Sequence, residues 1–209
     1  MSARDRMRDD VGFTLPELMA VVALMGIVVA AAYLLLNTGT TISNQVEAQA
    51  VATEEGRAVL SQLSSELRQA YEVDDGRGAF LVIQPREVVF YTDVNRDGFP
   101  EKVRYRIINN KIYRAQATAT TEMPPYTFPA FSADQPVQGV VESTWSESVF
   151  TYYTNQYVSG SDVPVLATAA GDVSAVQVRL KNSVARGQQS ASVDVTTWVK
   201  VRGVHNTID

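Results

Sequence analysis

Gly12-Phe13-Thr14-Leu15-Pro16-Glu17-Leu18-Met19 opens an apolar run that keeps a single carboxylate. From Phe13 to Leu36 the one charged side chain is Glu17, and it stands near the start of the run. The stretch from Leu18 to Leu36 is uninterrupted over 19 residues, close to the ~20 that a helix needs to span a bilayer. An ordinary secretory signal has a shorter apolar core of roughly 7–15 residues, followed by a small-x-small cleavage site. Thr38-Gly39-Thr40 is a poor version of such a site. A plain single-pass anchor accounts for the length of the run, but not for the Gly-Phe junction or for Glu17. A carboxylate on a membrane helix costs roughly 2.5–3.5 kcal/mol at the bilayer centre and less near an interface, and it usually has a partner. Headgroup contact at the interface is the alternative for Glu17.

Orientation follows from Lys and Arg near the ends of the span. Arg4, Arg6 and Arg8 precede the run, and the first positive residue after it is Arg57. Residues 1–12 are therefore expected on the cytoplasmic side and the bulk of the chain outside. Asp5, Asp9 and Asp10 balance the three arginines, so removing residues 1–12 leaves the net charge of −5 unchanged.

The Gly12-Phe13 junction, the carboxylate four positions after the Phe and the hydrophobic run resemble the recognition site of type IV prepilins and type II secretion pseudopilins. The family's leaders are usually net basic; this one is balanced. The resemblance implies a membrane prepilin peptidase that cuts between Gly12 and Phe13 and N-methylates Phe13. It also implies that Glu17 meets the N-terminal amine of a neighbouring subunit, an assembly and register device. Two unpaired charges in lipid are the alternative to such a pair, which is what makes it favourable.

Beyond Leu36 the chain continues as an amphipathic helix. Leu60, Leu63, Leu67 and Tyr71 keep 3,4,4 spacing on one face, as a helix packed on a core requires. Glu47, Glu54, Glu55, Arg57, Glu66 and Arg68 supply the polar side. Pro16 is tolerable near the helix start, whereas Gly39 and Gly56 each cost roughly 1 kcal/mol relative to Ala. A helix from about Pro16 to Tyr71 would be roughly 80–85 Å long at 1.5 Å per residue, which suits a filament subunit better than a compact globule. After Asp74-Asp75-Gly76 the pattern becomes short β-type runs: 80–83, 87–91, 102–108, 111–117, 149–153, 173–180 and 192–201. Asn109-Asn110 suits a tight hairpin turn, and Arg186-Gly187 is placed to close the last hairpin. The expectation is an α+β fold, an antiparallel sheet laid on the C-terminal half of the helix; a helix followed by such a meander resembles the pilin fold. The segments are a cleaved leader (1–12), a membrane or filament-core helix (13–36), its amphipathic continuation (37–72) and a β-rich domain (73–209).

Asp93-Val94-Asn95-Arg96-Asp97-Gly98 matches the opening of a calcium loop, D-x-[DN]-x-[DN]-G. The backbone carbonyl of Phe99 and the side chain of Glu101 are placed to add ligands. Arg104 occupies the position where an EF-hand has its bidentate Glu, and no helices flank the loop, so it is not an EF-hand. Asp, Asn and Gly equally favour a metal-free β-turn. Similar turns are found among J-type minor pseudopilins and minor pilins. Between the strands, 118–139 carries Pro124, Pro125, Pro129 and Pro136 interleaved with Tyr126, Phe128 and Phe131. One reading is a contact surface; the favoured one is a loop whose aromatics cap the sheet.

Cysteine is absent and histidine is limited to His205, so thiolate, disulfide and Cys/His chemistry have no residues to use. No G-x-S-x-G or H-E-x-x-H motif occurs. The acidic balance argues against nucleic-acid binding driven by the whole-protein field. The segment Trp198 to Asn206 resembles the last strand of minor pilins. The resemblance as a whole is closest to J-type minor pseudopilins and minor pilins. It implies a non-enzymatic subunit of a type IV pilus or secretion filament, in an initiating or tip complex. Its partners would be prepilin peptidase, other pilin subunits and an inner-membrane assembly platform. The anchored form would sit in the inner membrane, and the assembled form in a periplasmic or cell-surface filament. Apart from the calcium option no cofactor is implied. The alternative is a filament-borne or membrane-anchored adhesin that binds through the Pro/aromatic loop.

Overall fold

A computed structural model describes residues 14–73, 78–137, 148–157, 162–186 and 189–201. The chain divides into two compact units, Met1–Asn44 and Gln45–Asp209. Helix α1 (Leu15–Arg68) begins in the first and ends in the second.

In the first unit the helix starts at Thr14, whose carbonyl accepts the N–H groups of Glu17 and Leu18 at 3.0 and 3.1 Å. Pro16 sits in the first turn, where its missing N–H breaks no helical bond. Every residue from Leu15 to Leu36 is exposed. By length and composition this part of the helix can cross a membrane. The leader 1–12 and the Gly12-Phe13 junction lie outside the described residues.

In the second unit α1 buries Ala48, Ala52, Gly56, Val59, Leu60, Leu63 and Leu67, spaced so that they share one face. The helix ends three residues before Tyr71. Gln69 and Ala70 donate to the carbonyls of Glu66 and Leu67, tightening the last turn, and Tyr71 gives its N–H to Tyr91 at 3.2 Å. Tyr71 thus leaves the helix to join the sheet.

Two antiparallel sheets pack around this helix segment, where the sequence suggested one. The first has five strands in sequential order: β1 (Phe80–Gln84), β2 (Glu87–Thr92), β3 (Glu101–Ile108), β4 (Lys111–Thr118) and β5 (Gln135–Pro136). The second comprises β6 (Phe150–Tyr157), β7 (Pro164–Leu166), β8 (Ala175–Arg186) and β9 (Gln189–Lys200), in the order β7-β6-β8-β9. Alternation identifies a half-buried strand but not its partner, so the division was invisible in the sequence. The sheets meet at the β1–β2 turn: Val149 and Phe150 donate to the Pro85 carbonyl, and the Tyr152 hydroxyl donates to the carbonyls of Gln84 and Glu87. A shared core joins Leu63, Leu67, Phe80, Phe90, Tyr105, Phe150, Val178 and Leu180.

The Asn109-Asn110 turn forms as expected, with φ of 48° and 61° and Ile108 opposite Lys111, the left-handed pair that a type I′ hairpin needs. Strands β8 and β9 pair up to Arg186 opposite Gln189. Gly187, the Asp74-Asp75-Gly76 turn, and the end of the Trp198-to-Asn206 segment with His205 are outside the described residues. The two short strands β5 and β7 were not expected. Each contains a proline and lies at a sheet edge, where a missing donor is tolerated.

Candidate functional site

Glu17, the assembly carboxylate suggested by the sequence, is exposed in the first turn of α1. Around it the helix surface is apolar, with Leu15, Leu18, Met19, Val21 and Val22 all exposed. A carboxylate there, next to helical N–H groups without intrahelical acceptors, has a favourable dipole environment.

The Asp93-to-Glu101 turn joins β2 to β3. Arg96 and Gly98 take left-handed φ values of 60° and 87°; at Gly98 that conformation is free of strain. Asp93 accepts the N–H groups of Asp97 and Gly98 at 3.2 and 3.0 Å, and Asp97 accepts that of Phe99 at 2.8 Å. The Asn95 amide donates to the other Asp97 oxygen at 2.7 Å. Asp93, Asn95 and Asp97 are therefore brought together and bonded within the turn, as the metal-free reading requires. Those same bonds leave lone pairs on each carboxylate. Among the described residues, no group of three or more His, Cys, Asp or Glu side chains is gathered closely enough to hold a metal.

Glu101 is 2 % exposed and accepts the Val94 N–H at 2.8 Å. Burial pushes its pKa up; the Val94 bond works in the opposite direction, and Asp97 and Asp93 push it further up. Tyr71, which sequence reasoning treated as a helix-face residue, reaches the same turn. Its pKa is pushed up to about 12, first by burial and then by the charge of Asp93.

The Pro/aromatic loop lies over the outer face of the first sheet. Phe128 packs on Tyr91 with ring centroids 5.2 Å apart. Lys102 and Arg104 from β3 stand over the Phe131 ring at 4.6 and 4.4 Å, an arrangement that favours both charges. Asp134 closes the layer by pairing with Arg104 at 2.9 Å and with Arg106. The capping reading therefore holds for Phe128 and Phe131. Gln138 and Gly139, the end of this stretch, lie outside the described residues.

On the opposite side of that sheet Glu66 and Arg114 form a pair buried to about nine-tenths and four-fifths, at side-chain exposures of 10 % and 18 %, with Nε to Oε2 at 3.0 Å. Burial alone would lower the Arg114 pKa, but the Glu66 charge outweighs it and holds the guanidinium above its ordinary value.

Sequence reasoning also missed the seam at Gly56. A Cβ placed there would lie 3.2 Å from Val195 Cγ2 and 3.9 Å from Asn182 Cβ. One helical turn earlier the Asn182 amide donates to the Ala52 carbonyl at 2.8 Å. The available signal was the small residue at every fourth position, Ala48, Ala52 and Gly56, which lets the second sheet approach the helix backbone.

No curated protein matched the chain, and neither did any solved structure. Residues 7–33 match the family model of the prokaryotic N-terminal methylation motif, so the N-terminus carries the signal of type IV pilins and pseudopilins.

Proposed function

We propose that this chain is a minor pilin or pseudopilin, a structural subunit cut after Gly12, N-methylated on Phe13 and packed into an initiating or tip complex of a filament. The observation that carries the proposal is the methylation motif at 7–33 joined to a helix whose residues 15–36 are all exposed. An apolar surface of that extent needs lipid or other helices around it. In the membrane, Glu17 would face the cost of an unpaired carboxylate; in a filament, a neighbour's Phe13 amine would relieve it. The leader would be cytoplasmic and the β-rich domain outside. The partners would be prepilin peptidase, other pilin subunits and an inner-membrane assembly platform.

The test is to shear filaments from cells that carry the chain with its companion subunits. Glu17→Val, which leaves the anchor intact, should keep membrane levels normal and remove the chain from the sheared fraction. Equal incorporation of the variant would refute the role given to Glu17. In the adhesin alternative, substituting Tyr126, Phe128 and Phe131 would abolish surface binding and leave filaments intact. Phe128 and Phe131 are engaged with the sheet, which favours the structural reading.

Calcium at the Asp93-to-Glu101 turn is a separate proposal. It is supported by the negative charge that Asp93, Glu101 and Asp97 concentrate around Tyr71, which a divalent cation would offset. Asp93, Asn95, Asp97 and Glu101 would supply side-chain oxygens and Phe99 its carbonyl.

A further inference from the structure

A groove of about 1120 Å³ lies within the second unit, between the last turns of α1, the Asp93–Arg96 turn and β9. Its helix wall is a polar stripe, Arg57, Ser61, Ser64, Ser65 and Arg68, at i, i+4, i+7, i+8 and i+11. Arg57 and Arg68 are three turns apart on one face, about 16 Å along the axis. Arg96 stands at the rim. None of these three arginines is in an ion pair among the described residues. Among the described residues Asp93 is the one acid lining the groove, and its carboxylate accepts two backbone N–H groups. Asp93, Asp97 and Glu101 place negative charge around Tyr71 in the same groove, so the groove's positive charge is confined to the three arginine side chains.

The facing wall is a sheet edge. Among the described residues β9 is the last strand of its sheet, and its pairing with β8 runs from Ala175–Lys200 to Arg186–Gln189 without a bulge. The Val201 N–H donates to the Ser174 carbonyl, and the Arg179 N–H to the Val149 carbonyl. Together with the register, these two bonds fix the phase of the ladder. Even-numbered residues of β8 bond to β9 and odd-numbered ones to β6. On β9 the backbones of Val195 and Thr197 therefore face β8, and that of Thr196 points away from it. Thr196 lines the groove. Edge strands are ordinarily blunted by proline, bulges or charge. β9 has neither a proline nor a bulge; its Asp194 is paired with Arg179 at 2.7 Å, and its other charge, Lys200, stands at the end of the strand, four residues beyond Thr196.

We propose that this groove accepts an extended acidic segment of a partner protein, which adds as a strand to the free edge of β9 and turns its carboxylates toward Arg57, Arg68 and Arg96. The backbone bonds at Thr196 would supply attachment, and the arginines would select the charge. At ~3.4 Å per strand residue, the Arg57-to-Arg68 span fits carboxylates about four to six positions apart on one strand face. The inference does not depend on the filament reading; it concerns the second unit alone.

The test uses the full chain in a nonionic detergent. The probe is a fluorescent octapeptide of alternating Glu and Val, and the controls are its Lys-Val counterpart and an oligothymidylate of equal charge. The Glu-Val peptide should bind, protect the Thr196 amide from hydrogen exchange, and weaken at least tenfold with Arg57→Gln plus Arg68→Gln. Thr196→Pro should abolish its binding, since proline removes the outward donor. If that variant melts early, exchange protection in the unsubstituted chain decides. Equal binding of the Lys-Val peptide, or an unchanged affinity in the double arginine variant, would overturn the proposal. So would tighter binding of the oligothymidylate that Thr196→Pro leaves intact, which would make the groove a polyanion site rather than a strand acceptor.

Discussion

Glu66→Gln is expected to destabilise the β-rich unit far more than its single lost charge suggests. Arg114 Nε lies 3.1 and 3.0 Å from the two Glu66 oxygens. Removing one partner of a fully buried pair costs about 3–5 kcal/mol. Arg114 keeps a bond to Gln116 at 2.8 Å and 18 % side-chain exposure, which lets water soften the loss. The expected cost is therefore about 2–3 kcal/mol. For a domain of this size that lowers the melting temperature by about 5–10 °C, at ~2–4 °C per kcal/mol. The pair also joins α1 to β4, so the loss should be seen by probes in both elements. Differential scanning calorimetry of the full chain in detergent, extended to a cycle with Arg114→Met and Glu66→Leu, measures it. The double variant should regain most of the loss, because it buries no unpaired charge. A drop under 1 °C for Glu66→Gln, or additive losses in the double variant, would refute the view that this pair is desolvated and coupled.

Other outcomes follow from the same contacts. Burial raises the Asp134 pKa, but bonds from Arg106 and Arg104 outweigh it and leave it below the ordinary 3.8. Its stabilising contribution is thus complete above that value and lost as pH falls through the lower folded value; Asp134→Asn should flatten this acid limb in melts between about pH 2 and 5. Gly56→Leu should cost about 1–3 kcal/mol by overpacking against Val195, read by chemical denaturation, whereas Gly39→Ala, which meets no neighbour, should be neutral or stabilising in the same assay. If the Asp93-to-Glu101 turn takes calcium, millimolar CaCl2 should raise the melting temperature of the full chain and Asp93→Ala should cancel the shift. No shift in either protein would remove the metal reading.

Much of the fold was legible because its signals are local. The 3,4 spacing of Leu60, Leu63 and Leu67 placed the buried helix face, and Asn109-Asn110 placed a hairpin whose φ values only a few residue types adopt readily. Tyr71 fits the same helical spacing but leaves the helix, because the Tyr91 carbonyl offers a long-range partner. The split into two sheets was equally hidden, since alternation in 173–180 reads the same whichever sheet the strand joins. At the Asp93 turn, the sequence identified the residues but left metal and turn bonding open; the observed bonds show how the turn closes by itself. Phe128 and Phe131 were legible as aromatics and not as cation partners, because Lys102 and Arg104 are far from them in sequence. Gly56 appeared only as a helix cost until Val195 was found beside it.

The central claim concerns the N-terminus, and it is tested most directly by mass spectrometry. Co-expressed with a prepilin peptidase, the chain should yield a mature form that begins at N-methylated Phe13, and Gly12→Val should block its appearance. An intact Met1 in the presence of active peptidase, or a new N-terminus beyond Leu36, would contradict the assignment.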